Sequence, residues 1–404
     1  MRRSRLIAIH TVLALLPATA ASAQQAAQSS APTMAARFGM DSVASADTFV
    51  EHEGAEGGAA FDLMGGWQLG PAVQIVARPV LRRDHEGDWS ADLYQLALRH
   101  DRGRRVRMRL EAGYLPSPIG ISPLEARADN NPLVAPITSY TASLPAFEAG
   151  TPQTQLASPL YPLAVQATWS TSRWDLRASV LESSLVRVRP LTGDDKPPRA
   201  PQIALGGGLT PRIGLRLGAS LAYGRYASRN EVADASAGHR TASILSVDGD
   251  YAFGHTRIYG DMVYTSLERA ADHAVASALT VTAVQTLTPR WYVAGRAQRL
   301  TTSNLLHSYY GEPYPYGEPG GGIPQAGYDD HGAYNSSPAA ALDPAVLQWQ
   351  DLGAADALTI ETGAGYRLSP ALTLRATYLG YRGFDDDAIE HHGTFSIVWT
   401  RRWF

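Results

Sequence analysis

Among its 404 residues the chain has no cysteine and a single lysine, Lys196. Without thiols, neither a disulfide framework nor a cysteine-ligated metal centre can form. With one lysine, almost every positive charge is a guanidinium, which stays protonated at any physiological pH. Long apolar runs are missing too. Hydrophobic residues make up 45% of the chain, yet mean hydropathy is −0.17. No stretch reaches the 18 or more apolar residues of a spanning helix, which excludes a helical membrane protein. Nor is there a basic excess, since 35 basic side chains stand against 38 acidic ones. Nucleic acid is therefore not an expected partner. No G-x-S-x-G, H-E-x-x-H or Walker pattern occurs, so no enzyme activity, catalytic residue, cofactor or metal site is expected.

What is present begins with a leader. Arg2, Arg3 and Arg5 precede an apolar run from Leu6 to Leu16, and Ala21-Ser22-Ala23 supplies a small-x-small cleavage pattern. This predicts a signal peptide over 1–23, and so export through the inner membrane. The remaining 381 residues carry 32 basic and 38 acidic side chains. They show no composition break that would divide them into domains.

From there on, one periodicity dominates. In "RVRMRLEAGY" (105–114), Val106, Met108, Leu110, Ala112 and Tyr114 fall on one face, opposite Arg105, Arg107, Arg109 and Glu111. A helix would scatter those arginines around its circumference; a strand with one oily and one wet side collects them. "WDLRASVLE", "LRLGASLAY", "LTIETGAGYRL" and "LTLRATY" repeat the pattern. Connectors alternate in length. Short turns lie at 69–72, 101–104, 170–173, 210–213, 253–255, 288–291 and 369–372, with the Gly, Pro, Asp and Ser content of hairpins. Eight longer loops separate them, among them 115–161, 302–356 and 384–391. Fifteen connections predict about sixteen strands, the even count of a closed bacterial barrel. The expected fold is all-β: a transmembrane antiparallel up-and-down barrel over 36–404, with residues 24–35 as a short periplasmic segment before it. Aromatics near strand ends, including Trp67, Trp89, Trp174, Phe253, Trp291 and Tyr381, suit interfacial girdles.

The last stretch, "TFSIVWTRRWF", is itself an alternating strand that stops on Phe404. Here the sequence resembles the Gram-negative outer-membrane porins, whose final strand ends on an aromatic. That resemblance implies that Phe404 is the signal read by the barrel-assembly machinery, and that the final strand closes the barrel against the first. Trp399 and Trp403 are out of phase with Phe404, which predicts a bulge near Arg401-Arg402.

Sixteen strands enclose an aqueous channel rather than a packed core. The register places Arg78, Arg107, Arg109, Glu111, Arg177, Arg216, Arg257, Arg296 and Arg375 on its wall. Two readings of these arginines stand: rings of fixed charge that lower the barrier for anions, or partners of inward carboxylates that hold a wet wall together. By resemblance, the connection 115–161 after strand five is the constriction loop. "PAFEAG" (145–150) is a loose echo of the porin tip motif, and Glu125, Asp129 or Glu148 would face Arg107, Arg109 or Arg78 across an eyelet. The long extracellular loop 302–356 holds six tyrosines at 309–334 amid prolines and glycines, either a sugar-stacking track or a surface lid. "GFDDDAIEHHG" reads as a solvated acidic loop rather than a calcium site, lacking EF-hand spacing.

The function these features suggest is a passive outer-membrane channel for small hydrophilic solutes, with an anion preference. Expected partners are outer-membrane lipid, lipopolysaccharide and the assembly machinery, with homotrimerisation implied by the resemblance alone. Two alternatives belong to other classes: a non-conducting surface adhesin or scaffold, and an outer-membrane hydrolase with histidines at its rim.

Overall fold

Period-two alternation drives each segment into extended backbone, where consecutive side chains leave on opposite faces. The computed structural model describes residues 38–51, 54–83, 89–103, 105–120, 127–135, 143–144, 154–157, 162–187, 199–231, 238–269, 272–303, 354–382 and 389–402. The predicted leader, the segment 24–35, Glu125, Glu148, Phe404, and nearly all of the loop 302–356 with its tyrosines lie outside these residues.

Five strands come first: β1 (Phe38–Glu51), β2 (Gly54–Gln68), β3 (Val73–Arg83), β4 (Trp89–Arg102) and β5 (Arg107–Tyr114). A two-residue ladder, β6 (Ser143–Leu144) with β7 (Thr154–Gln155), lies within the connection that follows. Then come β8 (Leu163–Ser170), β9 (Trp174–Leu181), β10 (Gln202–Arg212), β11 (Leu215–Ala227), β12 (Arg240–Phe253) and β13 (Thr256–Glu268). The series ends with β14 (His273–Thr286), β15 (Trp291–Ser303), β16 (Ala354–Ser369), β17 (Leu372–Arg382) and β18 (Glu390–Arg402). All but β6 and β7 form one closed antiparallel barrel of 16 strands in which β5 pairs with β8. The predicted architecture and strand count are those observed.

Closure is made by β1 against β18, in unbroken register from Val50↔Gly393 to Asp41↔Arg402. No bulge interrupts the described residues, since Arg401 and Arg402 pair regularly with Ser42 and Asp41; Trp403 and Phe404 lie outside them. A real irregularity sits at Arg78/Pro79, where proline has no N–H to give to the ladder.

Polarity is inverted relative to a soluble protein. Leu205, Leu221, Leu245 and Tyr264 are cross-strand partners in one row over four strands, and all are exposed. On β12, Leu245 and Val247 face out, while Ser246 and Asp248 between and beyond them are buried. Such a belt is stable only if its surroundings are apolar, and closing the sheet leaves no unpaired edge in them. Exposed Trp67, Trp174, Phe253 and Trp291 stand near the short turns, and Trp89 and Tyr378 near the long loops. Tyr381 departs from expectation: it shares the parity of buried Arg375 and Thr377 and faces inward.

Candidate functional site

The inward face is a wall of paired charges. Arg78 grips Asp62 on the neighbouring strand, with Nη2 2.5 Å from Oδ2 and Nε donating to both oxygens at 2.9 and 3.0 Å. Arg99 donates to Glu111 at 2.8 Å. Arg257 makes a two-pronged contact with Asp250, at 3.0 and 2.8 Å. Arg296 and Glu361, directly opposite on β15 and β16, lie 3.4 Å apart. Guanidinium and carboxylate match in geometry, and in a confined space each offsets part of the other's desolvation cost.

One cluster depends on missing side chains. Asp175, Gly208, Gly218 and Asp248 form a cross-strand row over β9, β10, β11 and β12. Arg216 reaches Asp175 at 3.3 Å and also hydrogen-bonds Asp248. A Cβ at Gly208 would come within 2.6 Å of the Arg216 guanidinium, and one at Gly218 would collide with the Asp248 carboxylate. The two glycines thus provide the shelf on which the ion pairs lie. Arg177 feels Asp175, Arg216 and Asp248 electrostatically, and its buried Nε has no hydrogen-bond partner among the described residues.

The connection after β5 enters this interior. Leu115 and Ile119 are buried, and Gly120 N donates to Ser220 Oγ on β11 at 3.2 Å. Residues 127–135 meet other strands altogether. Arg127 Nε lies 3.8 Å from Asp62 on β2 and 3.5 Å from Asp129. Val134 N and Ala135 N both donate to Glu361 Oε1 at 3.0 Å. Arg296 donates to Ala135 O at 2.8 Å and to Asn131 Oδ1 at 2.7 Å. Arg375 donates to Leu133 O at 3.0 Å and also to Ala128 O. Further on, Thr265 Oγ1 on β13 donates to Leu156 O at 2.6 Å. The chain therefore touches β2, β11, β13 and β15–β17 from within. Near the long-loop end some inward positions are apolar: Tyr226, Ile244 and Val263 belong to one buried cluster with Leu156 and Leu185 of the connections.

Of the residues expected at an eyelet, Asp129 is described and pairs with Arg127, not with Arg107 or Arg109. Those two both contact Asp101 on β4, at 3.1 and 2.9 Å, beside the short turn that follows. Alternation with apolar residues puts them on the inner wall, and only the porin resemblance sets them opposite the loop. Alternation reports which face a side chain takes, however, and not its height along the barrel. Asp62, Asp101, Arg99, Arg127 and Asn131 are site residues that the sequence reading missed. Arg99 was within reach through the alternation of "LYQLALRH", whereas Asn131, in irregular backbone, carries no periodic signal.

No family model matches the sequence, and no curated protein matches it either. Solved structures do match in fold. OprB of Pseudomonas putida is 9% identical with a TM-score of 0.53, over 91% of this chain and 94% of that one. The OmpT outer membrane protein of Vibrio cholerae, in its trimer form, is 11% identical with a TM-score of 0.51, over 91% and 100%. An anion-selective porin from Comamonas acidovorans is 10% identical with a TM-score of 0.50, over 91% and 98%. At such identities the likeness is one of fold, that of outer-membrane porin-like barrels.

Proposed function

We propose that the chain is a passive, water-filled diffusion channel of the Gram-negative outer membrane, passing small hydrophilic solutes with a preference for anions and acting without catalysis. One observation carries this reading. A closed barrel with an apolar outer belt encloses charged side chains, and a connecting segment is hydrogen-bonded across its interior. A purely structural barrel has no need of buried charge on both wall and loop, whereas a conduit needs a wet, fixed-charge lining and a defined narrow point.

Anion preference rests on the charges left after pairing. Asp and Glu neutralise Arg78, Arg99, Arg109, Arg216, Arg257 and Arg296. Arg375 instead bonds to backbone carbonyls, and the carboxylates that act on it, Asp129 and Glu361, are shared with Arg127 and Arg296, so its charge is only partly offset. The trimeric form of OmpT and the anion-selective porin share the fold, which supports homotrimerisation and an anionic cargo as parts of the same reading. Contacts with lipopolysaccharide at the rim, recognition of Phe404 by the assembly machinery, and export by the leader 1–23 complete it.

Planar-bilayer recording tests it. Stepwise insertion of conducting units, with a reversal potential displaced toward that of chloride under a KCl gradient, is expected. Insertion without current would overturn the channel reading.

A further inference from the structure

On the short-turn side of the inserted connection, a cavity of about 420 Å³ separates residues 129–132 from the inward faces of β12 to β17. That size falls within the range of sites for small organic ligands. Three guanidiniums line it, Arg257, Arg367 and Arg375, and Asp129 is the one carboxylate among the described lining residues. Arg257 is held by Asp250 and lies over Tyr259, its Cζ 4.2 Å from the ring centroid. Arg367 lies over Tyr292 at 5.0 Å. Its Nη1 donates to the Pro289 carbonyl at 3.4 Å, and no carboxylate pairs with it among the described residues.

Arg375 adds the second, independent pointer. Its side chain is only 5% exposed, both terminal nitrogens are committed to loop carbonyls, and its buried Nε–H has no hydrogen-bond partner among the described residues. A buried donor left unmade is costly, and the Arg375 charge adds positive potential to the adjoining space. The arginines outnumber Asp129 and Asp250, so the cavity favours negative charge. A planar guanidinium steadied on an aromatic ring presents its fork to two coplanar oxygens. Tyr259, Tyr292 and Val284 supply apolar wall for the rest of a ligand.

We infer that this cavity is a binding subsite for a small organic carboxylate with a ring-sized apolar body, held by Arg367 in the positive field of Arg257 and Arg375 beneath the inserted connection. Its role as a station on the permeation route rests on the channel reading; its ability to bind does not.

Calorimetry on the full chain in detergent, with benzoate, acetate and inorganic phosphate as probes, decides the matter. Benzoate is expected to bind more tightly than acetate, which lacks the apolar body, and than phosphate. Arg367→Ser should weaken benzoate by about tenfold, the loss of one charge-assisted interaction. Arg382→Ser, at the opposite end of β17, should leave it unchanged. Arg367 lies at the exposed rim, so strand content by circular dichroism should be intact; Arg367→Lys, which keeps charge but loses the fork, should fall between. Equal binding of all three anions, tighter phosphate, or benzoate binding indifferent to Arg367 would overturn the inference. A chain that binds benzoate but passes no current keeps the subsite and loses the channel; one that conducts but does not bind benzoate loses the subsite alone.

Discussion

Arg296 and Glu361 face each other at 3.4 Å on adjacent strands, neither side chain accessible to solvent, and both grip the same loop backbone. Glu361 takes two N–H groups from Val134 and Ala135, and Arg296 takes the carbonyl of Ala135, so one ion pair satisfies three backbone groups. Removing one partner of a buried pair costs about 3–5 kcal/mol because the other charge is left unmet. Glu361→Ala is therefore expected to free residues 131–135 while the barrel ladder persists. The readout is single-channel current: larger in amplitude and noisier than in the parent protein. Unchanged, quiet current would show that this pair does not hold the loop.

Arg216 spans Asp175 and Asp248 only because positions 208 and 218 carry no side chain. Gly218→Val would drive a branched carbon into the Asp248 carboxylate and displace the guanidinium. Overpacking of this kind costs about 1–3 kcal/mol. A lower midpoint in urea unfolding from lipid vesicles is expected, with Gly39→Val, where a Cβ would meet nothing within 4 Å, as the silent control.

The barrel was legible in the sequence because lipid on one side and water on the other impose a period of two, and that signal survives without any motif. Leu245, Ser246, Val247 and Asp248 announce their faces unaided. The loop's docking was not legible. Asn131 and Ala135 meet Arg296 through a sequence separation of about 160 residues, and nothing local to either segment encodes that meeting. Height along the barrel was hidden for a related reason: Arg107 and Arg109 alternate correctly but stand beside a short turn, where Asp101 takes them. The residues that tie this connection to the wall, Arg127 and Asn131, lie outside the tip motif on which the porin resemblance rested.

Val247 projects from the outer face of β12 at 55% exposure, midway along the strand. An arginine there would be desolvated by hydrocarbon, at a cost of about 2–4 kcal/mol near the bilayer midplane. Val247→Arg should lower unfolding stability in vesicles by that amount and slow refolding into them. Val106→Arg, beside a short turn, should cost much less. Equal tolerance at both sites would mean that this face does not meet lipid.

Asp62 is the carboxylate on which two guanidiniums converge, Arg78 in direct contact and Arg127 at 3.8 Å. Asp129 is the other negative group beside them, 3.5 Å from Arg127. Asp62→Asn keeps the shape and deletes one charge, leaving the cluster a net positive charge more than before. Arg78→Gln does the reverse. Under a KCl gradient the first variant should move the reversal potential toward that of chloride and the second toward that of potassium. The displacement should be larger near 0.1 M salt, where the screening length is about 10 Å, than near 1 M, where it is about 3 Å. Opposite shifts would place the cluster on the ion path between wall and loop; shifts of one sign, or none, would remove it from that path.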